Sequence, residues 1–113
     1  KPLLLYEVEE KEIVGVYKVS KSSTVDVSNL EKVRLKINPD GTFYLNEKIP
    51  KVNICQKGKV EYSSDIEEEN ALSFYCENVI SVQGVKRNLT NFELEFMIGE
   101  PDSNEVVYLE KIN

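Results

Sequence analysis

A chain of 113 residues suits one domain and one core, hiding about 65% of the surface its unfolded form exposes, and is too short for two domains. With 41% hydrophobic and 30% charged residues the balance is that of an ordinary soluble protein, and 20 carboxylates against 14 lysines and arginines leave a net charge of −6. That sign argues against a nucleic-acid partner, whose phosphates call for a basic stripe, and against an anionic membrane surface.

The chain opens at Lys1-Pro2 without a methionine, which reads as a processed or a truncated start; the first alternative carries the expectation of a removed signal peptide or lipid-anchor cysteine. The apolar stretch Leu3-Leu4-Leu5-Tyr6 falls far short of the roughly 20 residues of a spanning helix. Tyr6 to Lys11 is the best stretch for a turn of helix. From Glu12 to Ser20 period-two alternation begins, with Ile13, Gly15, Tyr17 and Val19 on one face. Ser20 to Leu30, rich in Ser, Thr and Asp, is the longest irregular stretch and reads as a lid, a binding loop or a mobile loop. Residues 32 to 38 alternate again, with Val33, Leu35 and Ile37 against Lys32, Arg34, Lys36 and Asn38. Further strands are predicted near 42–46, 57–63, 71–77, 79–86, 91–98 and 105–112. In the 91–98 strand Phe92, Leu94, Phe96 and Ile98 share a face.

The turns have their own chemistry. In Asn38-Pro39-Asp40-Gly41 proline presets φ for a type I turn and glycine takes the left-handed position after it. A three-residue loop with a glycine bulge pairs Asn38 with Thr42, setting Ile37 against Phe43 and Leu35 against Leu45. A two-residue turn would set Leu35 against Tyr44 and scramble the face. Reversals are also predicted at Ser63 to Asn70 and at Gly99 to Asn104. Short strands joined by such turns indicate an all-β sandwich or barrel.

Gly15-Val16-Tyr17 early in the first strand, the hairpin Pro39-Asp40-Gly41-Thr42-Phe43, some eight strands, and a last strand ending in Tyr108-Leu109-Glu110-Lys111 together resemble the lipocalin (calycin) superfamily. The first strand of that superfamily carries a Gly-x-Trp signature. The likeness is to its small bacterial members in particular, often secreted or lipid-anchored. Tyr17 stands in place of the tryptophan, the chain is shorter, and no helix follows the last strand. The arginine that packs over the signature tryptophan has Arg87 and Lys111 as candidate counterparts. The resemblance implies a closed antiparallel up-and-down β-barrel of about eight strands. It also implies a cell-envelope location (periplasmic, secreted or lipid-anchored). By fold analogy alone it suggests a small apolar ligand in the barrel.

Tyr17, Leu35, Phe43, Tyr62, Phe74, Phe92 and Phe96 are the candidate lining of such a pocket. In the competing reading they fill the interior themselves, which the shortness of the chain favours. Tyr44 and Tyr75 fall on the opposite faces of their strands, where exposed tyrosines can mark an interface. Cys55 and Cys76 lie directly opposite across an antiparallel pair if the intervening turn centres near Asp65-Ile66. An odd slip of one strand would separate them, so a disulfide and two separate thiols both stay open.

Histidine is absent, which removes histidine triads, histidine metal ligands and the usual neutral-pH proton shuttle. No thiol has a partner base, so no catalytic residue, metal or cofactor is expected. Glu67-Glu68-Glu69 and Asp102-Ser103-Asn104 read as solvated turns, and Asn88-Leu89-Thr90 is a glycosylation acceptor only in a eukaryotic secretory protein. The leading expectation is therefore an exported, non-enzymatic binder of a small apolar ligand. Its rival is a protein–protein module of inhibitor or immunity type with an acidic outer surface.

Overall fold

The computed structural model describes residues 10–63, 71–77, 80–87, 92–98 and 104–113. The predicted reversal between the fourth and fifth strands, most of the one at Gly99 to Asn104, and the Asn88-Leu89-Thr90 site lie outside these residues.

The hairpin at Asn38 shows how side chains set the register. β2 (Arg34–Ile37) and β3 (Thr42–Leu45) pair with Leu35 opposite Leu45 and Ile37 opposite Phe43. The Asn38 N–H donates to the Thr42 carbonyl at 2.8 Å, and Gly41 takes φ of 85°, a conformation in which a Cβ would be strained. Asp40 Oδ1 accepts from the Thr42 N–H at 3.0 Å and from the Thr42 hydroxyl at 2.6 Å, which pins the loop. Those bonds to the charged form hold the Asp40 carboxyl below its ordinary range.

The same alternation continues around the molecule. β1 (Gly15–Val19), β2, β3, β4 (Lys57–Ser63), β5 (Ala71–Tyr75), β6 (Ile80–Arg87), β7 (Phe92–Met97) and β8 (Val106–Lys111) follow one another in space as they do in sequence. β8 pairs back onto β1, with Tyr17 opposite Lys111. The fold is a closed, eight-stranded, antiparallel up-and-down barrel with almost no helix. Closure leaves no sheet edge to be covered.

Gly15 has φ of 152°, and a Cβ there would run into the Asn113 carbonyl and the Lys111 side chain. The chain's last residues thus cross the start of β1 where only glycine fits. A single 3-10 turn, Glu10–Ile13, precedes β1. Of the helical turn that the sequence places at Tyr6 to Lys11, only Glu10 and Lys11 are described, and both lie in this 3-10 turn, which carries Ile13 into the core.

The irregular stretch after β1 proves to be pinned. Ser20 N–H donates to the Tyr108 carbonyl and Thr24 N–H to the Val106 carbonyl. In return the hydroxyls of Ser23 and Thr24 accept the N–H groups of Tyr108 and Val106, at 2.9 and 2.7 Å. Side-chain oxygens stand in for carbonyls, which is what a Ser/Thr-rich segment can offer a neighbouring strand.

The core fills the barrel. Tyr17, Leu35, Phe74, Leu72, Leu94, Phe96 and Leu109 are fully buried. The Phe74 ring meets Phe43 edge-on at 5.0 Å and tilts against Phe96 at 5.8 Å, geometries that favour aromatic pairs. At the end reached by β1, the loops 20–33 and 46–56 insert Val33, Ile49 and Ile54 into the same core, with Val25, Leu30 and Val52 packed against it. At the other end the Tyr17 hydroxyl donates to the Ile13 carbonyl at 2.6 Å. Burial, then the nearby Glu12, pushes the Tyr17 phenol upward.

Candidate functional site

Of the seven residues singled out as pocket lining, Tyr17, Leu35, Phe43, Phe74 and Phe96 pack against one another inside the barrel. Phe92 is half-buried near the end closed by the 3-10 turn. Its ring lies 6.2 Å from Tyr17 and 5.8 Å from the Lys111 ammonium. That ammonium donates to the Glu12 carbonyl, so Lys111, the cross-strand partner of Tyr17, ties the last strand to the 3-10 turn. The Arg87 side chain lies outside the described ones.

Tyr62 alone of the seven lines a described cleft, of about 340 Å³, at this end of the barrel. Ile13, Val14, Ile37, Val60 and Leu72 make its apolar wall, with Lys11 and the Pro39–Gly41 turn at its rim. A wider groove of about 810 Å³ runs between the 20–31 loop and β1–β2. Two of its cations are engaged: Lys18 pairs with Glu110 at 3.5 Å, and the Arg34 guanidinium donates to the Glu31 and Val33 carbonyls at 2.8 Å each.

The outer surface is more informative. β6 is turned inside out. Ser81 and Gln83 point into the barrel and are buried, bonded to each other, while Ile80 and Val82 point outward and are each 61% exposed. On the neighbouring strands Tyr75 sits opposite Ile80 and Ser73 opposite Val82, and on β7 Met97 is 46% exposed. Carboxylates rim this apolar strip. Glu61 accepts from the Tyr75 hydroxyl at 3.1 Å, raising the Tyr75 phenol above its usual value, Glu95 pairs in register with Gly84, and Glu77 lies exposed just beyond β5. Glu93 also points outward but is buried, because the Ser20–Ser23 segment folds over it and the Ser22 hydroxyl donates to its carboxylate at 3.1 Å.

The adjoining face, over β1 to β4, differs in sign and meets the strip where Lys59 sits opposite Tyr75. Outward positions of β1 to β4 carry Lys18, Arg34, Lys36, Lys57 and Lys59, with Tyr44 51% exposed among them. Neither this polarity nor the inversion of β6 was read from the sequence. The signal for the first was present, since the lysines fall on the polar phase of three predicted strands. For β6 the alternation alone gives two phases and does not choose between them.

Cys55, just ahead of β4, is joined to Cys76, just after β5, by a disulfide with Cα atoms 5.9 Å apart. The two are not directly opposite, as a turn centred at Asp65-Ile66 would have made them, and of the two alternatives left open the disulfide is the one that forms. Lys59 pairs with Tyr75, a register offset by an odd number of residues from the one that would set the two cysteines face to face. The bond therefore crosses the rim diagonally, beyond the last ladder pair, and the Cys55 N–H donates to Cys76 Sγ at 3.1 Å.

Among the described residues, no three His, Cys, Asp or Glu side chains gather where they could hold a metal ion. No helix among the described residues is long and apolar enough to cross a membrane. No protein-family model, no curated protein and no solved structure matches this chain. The architecture is compatible with a lipocalin-like fold.

Proposed function

We propose that this barrel is a non-enzymatic protein-interaction module. It presents the outer face of β5–β7 to a partner surface that is apolar at its centre and basic at its rim. The observation that carries the reading is the inversion of β6. Leaving Ile80 and Val82 in water forgoes about 1.5–3 kcal/mol for each side chain, and a docked partner recovers it. The carboxylates Glu61, Glu77 and Glu95 around the strip supply complementarity for a basic rim, which steers encounter and orients the complex. The packed interior supports the same reading, since five of the seven candidate lining residues already satisfy one another.

The test is photo-crosslinking in the source cell from a reactive residue placed at position 82, with position 44 as the control. A single basic protein captured from 82 is expected. Its affinity for the purified barrel should fall at least about tenfold on Ile80→Asp and fall again with added salt. Crosslinking of equal yield from position 44, or binding indifferent to Ile80→Asp, would overturn it.

A second reading rests on the cleft of about 340 Å³, which reaches the lower bound for small-molecule sites, roughly 300 Å³. A medium-length fatty acid there would raise the melting temperature, and Val14→Trp, filling the cleft, would abolish the rise. We also read the protein as an exported bacterial member of the lipocalin-like group. The Gly15-Val16-Tyr17 strand, the Pro39–Phe43 hairpin and the disulfide support this, because disulfides persist in oxidising compartments. Fractionation of the source cells, with the thiol state of Cys55 and Cys76 read in each fraction, tests it.

A further inference from the structure

The face that adjoins that strip, over β2 to β4, has a site of its own. In the ladders Lys36 sits opposite Tyr44 and Tyr44 opposite Lys57, so the three residues form a row across β2, β3 and β4. Strands lie about 4.8 Å apart, which places one lysine on each side of the tyrosine with their backbones roughly 10 Å apart. Lys59 extends the row along β4. Among the described residues Lys36, Lys57 and Lys59 have no ion pair, whereas Lys18 is paired with Glu110. Glu61 is the first carboxylate met among the outward strand positions of β1–β4. In a chain with 20 carboxylates and a charge of −6, three adjacent unneutralised lysines around an aromatic ring 51% exposed are a concentration of unused binding capacity.

We infer that this face binds an acidic polysaccharide, with Tyr44 as the platform for a sugar ring and Lys36, Lys57 and Lys59 as partners of the acidic groups beside it. A tyrosine offers a flat apolar body whose electron-rich face suits the C–H side of a sugar. Lysine supplies point charges that adapt to carboxylate or sulfate. Two observations favour a glycan over a nucleic acid. The disulfide is of a kind that persists in oxidising compartments, where acidic glycans are met more often than nucleic acid. The net charge of −6 repels a polyanion in proportion to its charge density, and Tyr44 is one platform where single-stranded nucleic acid uses a succession of them.

The test is affinity electrophoresis at low salt, with polygalacturonate, dextran sulfate, the neutral methyl ester of polygalacturonate and single-stranded DNA as separate probes. The wild-type protein is expected to be retarded by one or both acidic glycans and not by the ester. Lys36→Glu with Lys57→Glu should weaken binding at least about tenfold, added salt should weaken it further, and Tyr44→Ala should cost severalfold. Val82→Asp, in the strip and in the row of Ser73 and Glu61, should leave it unchanged, so failure here is distinct from failure of the interaction reading. Circular dichroism checks the fold of each variant, and Lys36→Gln with Lys57→Gln replaces the charge reversal if that variant is unfolded. No retardation by either acidic glycan, equal retardation by the ester, stronger retardation by DNA, or a folded lysine double variant that binds like wild type would each overturn the inference.

Discussion

β6 and β7 are neighbours in the same ladder, and they obey opposite rules. On β7 the inward positions are Leu94 and Phe96, fully buried, and the outward ones include Glu93 and Glu95. On β6 the inward positions include Ser81 and Gln83, and the outward ones Ile80 and Val82. A shift of β6 by one residue would bury Ile80 and Val82, yet the strand stays as it is. The comparison teaches that in a closed barrel a strand's own pattern does not fix its phase. Gly84 lies opposite Ala71 on one side and Glu95 on the other, so both neighbours hold β6 in place. A slip would break both ladders at once.

The sharpest way to break that comparison is to truncate one position of each kind. Leu94→Ala removes a fully buried side chain and should cost about 2–5 kcal/mol in chemical denaturation, whereas Val82→Ala should stay within about 0.5 kcal/mol. A comparable loss at both positions would mean that the outward side of β6 is buried in solution.

The next effect concerns what holds β5, the strand on which β6 is registered. Replacing both Cys55 and Cys76 by serine releases a loop with a sequence separation of 21 and should cost about 3 kcal/mol in the chain-entropy account. If β6 amides also lose hydrogen-exchange protection ahead of β7 amides, the clamped hairpin is what enforces the inverted phase.

Smaller changes bear on the buried polar pair. Ser81→Ala alone strands the Gln83 amide in the core and should cost about 1–3 kcal/mol. Ser81→Ala with Gln83→Leu removes both groups and should be close to neutral. A double variant worse than the single would show that the interior polar contact is required by packing.

The smallest effect is a pH dependence at the 38–42 turn. Hydrogen bonds from Thr42 lower the Asp40 carboxyl in the folded state, so its contribution is present above the unfolded value, near 3.9, and fades as pH falls through the lower folded value. Protection of the Thr42 amide should decline there ahead of global unfolding, and Asp40→Asn should remove most of that decline.

These contrasts explain what could be read in advance. The bulged hairpin was legible because one register alone aligned Leu35 with Leu45 and Ile37 with Phe43. The eight strands were legible because most of them have one wet face; their turns left a sandwich and a barrel both open, and the closed barrel was what the resemblance implied. β6 was not, since Ile80-Ser81-Val82-Gln83 alternates equally well in either phase and only its neighbours choose. The charged faces needed the closed barrel: Lys36 and Lys57 are far apart in the chain and meet around Tyr44 only when β2, β3 and β4 lie side by side. The apolar cleft at the 3-10 turn was hidden for the same reason, being assembled from four separated segments.

The bond between Cys55 and Cys76 spans the whole of β4 and β5. A protease that severs the backbone anywhere within that span leaves one covalent molecule, with both halves still tethered at the rim and able to re-form their ladder. In surroundings rich in hydrolases, this part of the protein can be nicked without coming apart.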